Sequence, residues 1–419
     1  MKKNKNAGQK TENRKKIVVA TAIVLVAICA GLAVLIYGGK ANVGGEVGES
    51  LPEDFPKNTV IGQSDVKGSF LTTLNIDSGH YLLVLNEKGE IVKYKKTGGN
   101  NSDGSGRCSG FQQQERNGFF YFERTNNTSS STAAADIVLL DEKMVEEKRI
   151  RYLPGEKTLY KDITLAVDSH DAIVFDKDNY IVATSLLEEP GNLPTEGKLK
   201  NERNATVEYI EEVENGKVKW EFKSSDHPEF YEYKMDKTSG RDHFSIDYMD
   251  YMHFNSMTVD PKDGNLLVSF RNQCSIVKLN RKNGDVMWIM GGKGDEFNLD
   301  EKSRFQCQHS ISFTDEGNLL MYDNRIEGTK SRILELEVDE DNKRVHVVKS
   351  IGLDVDTVNW GMVQKISSDI YLVDEGETTD LDHKGGFYEL SGKTGRKVMS
   401  VTYEKPGQAY LVHKWRKSK

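Results

Sequence analysis

From Val60 onward the chain is made of short segments in which apolar and polar residues alternate, separated by turns rich in Asp, Asn, Gly and Lys. Alternation of this kind puts successive side chains on opposite faces of an extended strand, and no strong amphipathic helix interrupts it. One sub-pattern recurs: LNEKGEIVKY from Leu85, LLDEKMVEEKRIRY from Leu139, VENGKVKWEF from Val213, LNRKNGDVMWIM from Leu279, VDEDNKRVHVV from Val338 and LSGKTGRKVMSV from Leu390. Each copy reads as strand, turn, strand. Six hairpins of one type imply six similar antiparallel sheets, whose edges must be hidden, and radial repetition of four-stranded blades hides them with units of this length. The predicted fold class is therefore all-β, a six-bladed β-propeller over residues 60–419. Two β-sandwiches would account for the strands but not for one hairpin recurring throughout.

A different pattern precedes the strands. Residues 17–37 (IVVATAIVLVAICAGLAVLIY) form an uncharged run of 21 residues, enough to cross a ~30 Å hydrocarbon layer as a helix. The basic tail, residues 1–16, carries seven Lys and Arg against one Glu. Positive charge of this kind stays cytoplasmic, so a single-pass anchor in the cell membrane with an extracytoplasmic domain is expected. A cleaved signal peptide competes, since Gly39-Lys40-Ala41 resembles a cleavage site, but the run exceeds the ~7–15 residues of a signal core. Residues 38–59, rich in Gly, Glu and Pro, read as a linker.

The formal net charge is −8, and without the basic tail it falls to about −14, which argues against nucleic acid as a partner. Beyond the anchor only Cys108, Cys274 and Cys307 remain, permitting one disulfide of undetermined pairing and offering no paired metal-ligand spacing.

Candidate chemistry enters with the histidines. His170 and His309 each stand nine residues before a turn Asn, Asn179 and Asn318, and His253 precedes Asn265 with a turn longer by three. Each is expected to open the first strand of its blade, and first strands line the central channel, so three imidazoles should converge on the axis. Asn255, two residues after His253, should share its side of the strand. Arg271 closes the next strand and returns toward the same end, with Asp323 and Asn324 matching it one blade later. Imidazoles beside a guanidinium suit an oxyanion better than a metal ion, and no metal or cofactor is expected.

The stretches Asp250-Tyr-Met-His253-Phe-Asn255-Ser, Leu266-Leu-Val-Ser-Phe-Arg271-Asn, Gly284-Asp-Val-Met-Trp288, Gln308-His309 and Tyr322-Asp323-Asn324 resemble the bacterial arylsulfate sulfotransferase family over about residues 170–324. The resemblance implies a six-bladed propeller that moves a sulfuryl group from an aryl sulfate donor to a phenolic acceptor by a ping-pong route, without phosphoadenosine phosphosulfate. It further implies that His309 is the nucleophile and becomes a sulfohistidine. His253, Asn255 and Arg271 match the positions that hold the sulfuryl oxygens, and His170 matches a further active-site histidine. Either His253 or His170 can then serve as the general acid and base.

Other signals carry less. Gly392-Lys393-Thr394 lacks the earlier Gly of a phosphate loop, since Phe387 stands there. Asp242, Asp247 and Asp250 read as a solvated loop or a cation site, with Asp250 placed to orient His253. A Cys307 thiol is an alternative nucleophile, and a Cys274–Cys307 bond near the pocket is open. His80 and His383 fall in expected turns, His346 in an outer strand, and His227, His243 and His413 in irregular stretches. Two other functions fit the same chain: a non-catalytic extracellular propeller binding glycan or protein, and an aryl sulfate hydrolase using the same residues.

Overall fold

The computed structural model describes residues 47–48, 55–98, 104–126, 133–194, 204–235, 249–326, 328–380, 382–404 and 411–415. Two compact units divide the chain, Met1–Gly45 and Glu46–Lys419. The expected anchor, 17–37, lies outside the described residues. Among the described residues no helix is long and apolar enough to cross a membrane.

The second unit is a six-bladed β-propeller. Blades 3, 4 and 5 are simple four-stranded meanders: Ile173–Asp176, Asn179–Glu188, Ala205–Glu214 and Lys217–Lys223; Phe254–Val259, Leu266–Phe270, Ser275–Leu279 and Val286–Gly291; His309–Phe313, Leu319–Asp323, Arg332–Asp339 and Arg344–Gly352. Blade 2 runs Cys108–Gln113, Phe119–Arg124, Ala134–Leu140 and Glu146–Ile150, and Val167–Asp168 also pairs with its third strand. In every blade the recurring sequence hairpin forms the third and fourth strands counted from the axis.

Both ends of the chain close the ring. The C-terminal strand His413–Trp415 is the innermost strand of blade 1, ahead of Ser69–Ile76, Gly79–Leu85 and Ile91–Lys96, and Val47–Gly48 lies on that blade's outer edge. Blade 6 comprises Met362–Lys365, Ile370–Asp374, Gly386–Ser391 and Lys397–Tyr403, edged by Asn58–Gly62. Part of the stretch expected to be linker thus belongs to the propeller.

Six apolar clusters fill the six seams between neighbouring blades. Ile181, Ile210 and Phe222 of blade 3 meet Met257, Leu266 and Val277 of blade 4, and Leu320, Tyr322 and Ile333 of blade 5 meet Val363, Tyr371 and Tyr388 of blade 6. Burial on both faces of the inner strands explains why alternation fades there into continuous apolar runs such as LLVSF. One seam also has a charged lock. Lys278, fully buried, sets its Nζ 2.8 Å from Asp260, 2.8 Å from Asp263 and 2.7 Å from Glu340, tying blade 4 to the outer turn of blade 5. These three carboxylates lie close enough together to hold a metal ion, but the ammonium already occupies their centre.

Candidate active site

Strand register decides which side chains reach the axis. Val174, Val259 and Phe313 occupy equivalent places, each pairing with the residue after the turn Asn, namely Tyr180, Leu266 and Leu319. Four residues earlier stand His170, Asn255 and His309. The equivalents in blades 6 and 1 are Gly361 and Leu411, four residues before Lys365 and Trp415. His253 is therefore not in the same structural position as the other two histidines. It lies two residues outside that ring, and its turn is longer by one rather than three.

The imidazoles nevertheless converge. His170 lies 5.4 Å from His253 and 5.9 Å from His309, ring centroid to centroid. His253 gets there through a left-handed backbone (φ 61°), and a register shift follows between Phe254 and Ser256. Simple strand alternation with Asn255 is lost at that bend, so the two side chains do different work. Arg271 is positioned from the same corner: its backbone N–H donates to the His253 carbonyl at 2.9 Å, and its Nη1 donates to Asn272 Oδ1 at 2.8 Å.

Two of the histidines are backed by carboxylates. Asp250 Oδ2 lies 2.6 Å from His253 Nδ1, as its spacing suggested. Asp168 Oδ1 lies 2.6 Å from His170 Nδ1 and also accepts the His170 backbone N–H at 2.9 Å. Each contact leaves Nε2 as the working nitrogen. Sequence reading missed Asp168, because the short strand that carries it pairs with blade 2 while His170 belongs to blade 3.

His309 is held from blade 4. Asn255 Nδ2 donates to the Gln308 carbonyl at 2.6 Å, and Gln308 Nε2 donates to Ser269 Oγ at 2.8 Å and to the Ser275 carbonyl at 2.9 Å. On the other side Asp323 accepts the Gln306 N–H at 2.9 Å and pairs with Arg332 at 2.8 Å. Asn324 Nδ2 donates to the Trp360 carbonyl at 2.8 Å. Trp360 is half-buried with a left-handed backbone (φ 64°), and it belongs to none of the apolar seam clusters. Next to it Gly361 (φ 94°) lies so close to Tyr322 that an added Cβ would sit 2.6 Å from the ring.

Electrostatics separate the imidazoles. Burial, then the positive charge of His170, His253 and Arg271, push the His309 pKa well below the ordinary histidine value; a hydrogen bond with the Gly361 backbone opposes this weakly. Burial also disfavours charge on His170, but the Asp168 carboxylate outweighs it and the pKa is raised. Burial pushes Asp250 up while His253, and then Arg271, hold it below the usual carboxylate range. The two neighbouring imidazoles are thus biased in opposite directions, His309 toward the neutral form and His170 toward the protonated one.

Under this ring a cavity of about 320 Å³ runs down the axis, lined by His170, His309, Asn255, Asp171, Gln112, Gln364 and His413, among others. No Lys or Arg lines it, so cationic help for an anion comes from the Arg271 side. His413, expected in an irregular stretch, lies in the innermost strand of blade 1, where burial lowers its pKa to about 4. His80 lies in a strand rather than a turn. The sulfurs of Cys274 and Cys307 lie 4.0 Å apart, and Cys274 Sγ accepts the Cys307 N–H at 3.2 Å. Neighbouring Cys307 and burial push the Cys274 thiol well up, which suits a buried structural pair rather than attack on a substrate. Asp242 and Asp247 lie outside the described residues.

A family model described as arylsulfotransferase matches residues 159–384, more than half of the chain. Among solved structures, a protein of unknown function from Bacteroides caccae is similar in fold, with a TM-score of 0.50 at 12% identity, covering 83% of this chain and 98% of that one. TolB from Acinetobacter baumannii has a TM-score of 0.42 at 11% identity, covering 83% of this chain and 67% of that one. Likeness at such identities concerns the fold alone. No curated protein matches the chain.

Proposed function

The chain belongs to the arylsulfotransferase family, and we propose that it moves a sulfuryl group from an aryl sulfate ester to a phenol through a sulfohistidine at His309. The observation that carries this reading is the placement of a buried His309 5.9 Å from His170, whose Nδ1 is backed by Asp168 at 2.6 Å, with the pKa of the first shifted down and that of the second shifted up.

In the first half-reaction a ring nitrogen of His309 attacks the sulfur of the donor. The S–O bond to the phenol breaks as the N–S bond forms, and His170 gives its Nε2 proton to the departing phenolate. In the second half-reaction the acceptor phenol returns that proton to His170 while its oxygen attacks sulfur and the N–S bond breaks. Protons and charge balance over the cycle, and no phosphoadenosine phosphosulfate takes part. Charge on the sulfuryl oxygens is met by Arg271 and His253. Asn255 acts through Gln308 and is a positioning residue for His309.

Trp360 supplies the flat apolar face for the aryl ring. Supporting this are its partial burial, its left-handed backbone, which favours a functional over a packing role, and its bond to Gly361, the His309 neighbour. Extracytoplasmic location on a membrane anchor remains part of the proposal and follows from residues 1–37. The test is incubation with 4-nitrophenyl sulfate and a phenol. Nitrophenol release that depends on the added phenol, with a sulfo adduct mapped to His309 by mass spectrometry, supports transfer; release independent of phenol means hydrolysis, and no release with any aryl sulfate returns the chain to the binding-propeller reading.

A further inference from the structure

Large apolar side chains left exposed on the described surface are unevenly spread. Ile61, Val92, Val145, Met287, Val348 and Val398 sit on outer strands or their turns in five different blades, whereas Leu159, Tyr160, Ile163 and Leu187 gather at blade 3, at relative exposures of 59%, 37%, 44% and 48%. Tyr160 Oη donates to the Leu187 carbonyl at 3.3 Å, joining the loop to the strand. Residues 159–164 are exposed without a break. Three apolar side chains in one continuously exposed loop, tied to a fourth through Tyr160, mark a surface that meets something.

Strand direction places this patch on the face that carries the imidazoles. Asn179–Glu188 runs antiparallel to the inner strand that begins just after His170, so its far end, with Leu187, lies on the His170 side. The chain also enters the propeller on that face. In blade 1 the inner strand starts beyond Leu411, a member of the axial ring, and the alternating directions of its neighbours bring Lys96 back to the same side, where Val47 pairs with Lys95. Ten residue steps separate Val47 from Tyr37, the last residue of the uncharged run, a reach of at most ~35 Å.

We propose that Leu159, Tyr160, Ile163 and Leu187 dock on a lipid bilayer, and that the imidazole site on the same face of the propeller takes amphiphilic aryl compounds from its interface. This rests on the anchor reading of residues 17–37 and deepens the sulfuryl-transfer reading by naming a substrate class. A tyrosine flanked by Leu and Ile suits the boundary between headgroups and chains. The loop charges Glu156, Lys157, Lys161 and Asp162 cancel, so uncharged headgroups suffice. The short connection keeps the patch at high local concentration near lipid, so a small apolar area is enough.

The test uses the full chain in phosphatidylcholine vesicles. A Tyr160→Trp variant, compared with the unmodified chain, is expected to show added indole emission that lipid brominated near the headgroup quenches, while a Met287→Trp variant on blade 4 stays unquenched. No quenching at position 160 overturns docking, and so does shielding from aqueous acrylamide without lipid quenching, which indicates a protein partner. Release of the chain from vesicles by alkaline carbonate sinks the anchor and the docking together. Quenching needs no turnover, so an inactive enzyme leaves this result intact. For the substrate class, Leu159→Glu with Ile163→Glu is expected to cut turnover of a long-chain alkylphenyl sulfate in vesicles roughly tenfold while sparing 4-nitrophenyl sulfate. Equal effects on both donors overturn it.

Discussion

His309 stands 5.9 Å from His170, ring centroid to centroid, and their surroundings shift them oppositely: burial and cationic neighbours lower the His309 pKa, and Asp168 raises that of His170. In the proposed reaction the first attacks sulfur and the second donates a proton. His309→Ala is therefore expected to lower kcat by roughly 10³-fold or more and to abolish the sulfo adduct. Donor turnover followed by intact-protein mass spectrometry checks both, and a fully active variant removes the nucleophile assignment.

The same pair sets the pH dependence. Attack requires neutral His309, so kcat/KM should fall on the acid side only below the ordinary histidine pKa. Donation requires charged His170, so the alkaline fall should lie above it. Asp168→Asn removes the carboxylate that raises His170 and should move the alkaline limb toward acid, leaving the acid limb nearly in place. A pH–rate profile of both proteins decides this.

Asn255→Ala leaves the Gln308 carbonyl without its 2.6 Å partner. The expected result is a fall in kcat with little change in donor KM, together with roughly 1–3 kcal/mol of lost stability from a buried unsatisfied carbonyl. A variant with raised KM and unchanged kcat would instead place Asn255 in direct contact with substrate.

Trp360→Ala should raise KM for aryl donors more than it lowers kcat, and Trp360→Phe should restore most of the binding. The loss is expected to be on the order of 1–3 kcal/mol, the worth of burying one aromatic side chain. Steady-state kinetics with a series of ring-substituted donors measures it.

Lys278→Met tests the fold apart from the chemistry. Removing the buried cation leaves Asp260, Asp263 and Glu340 facing one another, and the cost is expected to be roughly 3–5 kcal/mol at neutral pH. That cost should shrink as pH falls and the carboxylates protonate. Denaturant melts at two pH values provide the measurement.

Much of the architecture was legible because the outer hairpin repeats in sequence, and the histidines of blades 3 and 5 sit at one fixed distance from a turn Asn. What eluded sequence reading depends on register and closure. The three-residue excess between His253 and Asn265 reads in plain text as turn alone, whereas one residue belongs to the turn and two separate His253 from the axial place. Only backbone pairing reveals that Asn255 holds the axial place. Asp168 was hidden because pairing partner and sequence neighbour belong to different blades. His413 was hidden because a three-residue strand at the end of the chain gains its meaning from Ser69–Ile76 at the beginning. Trp360 could not be picked from the many aromatic residues, since its mark is a backbone angle and not a pattern.

The closure of the ring carries a mechanical consequence. Val47–Gly48 edges blade 1 and Asn58–Gly62 edges blade 6, so the incoming chain straddles the boundary where a circle made from one thread must be fastened. Tension arriving from the N-terminus would load the Asn58–Gly62 ladder lengthwise, across five paired residues at once, instead of unzipping it rung by rung. On the proposed anchor reading, a catalyst leashed to a moving surface gains a strain relief from this arrangement, with the buckle placed ahead of the parts that must not shift.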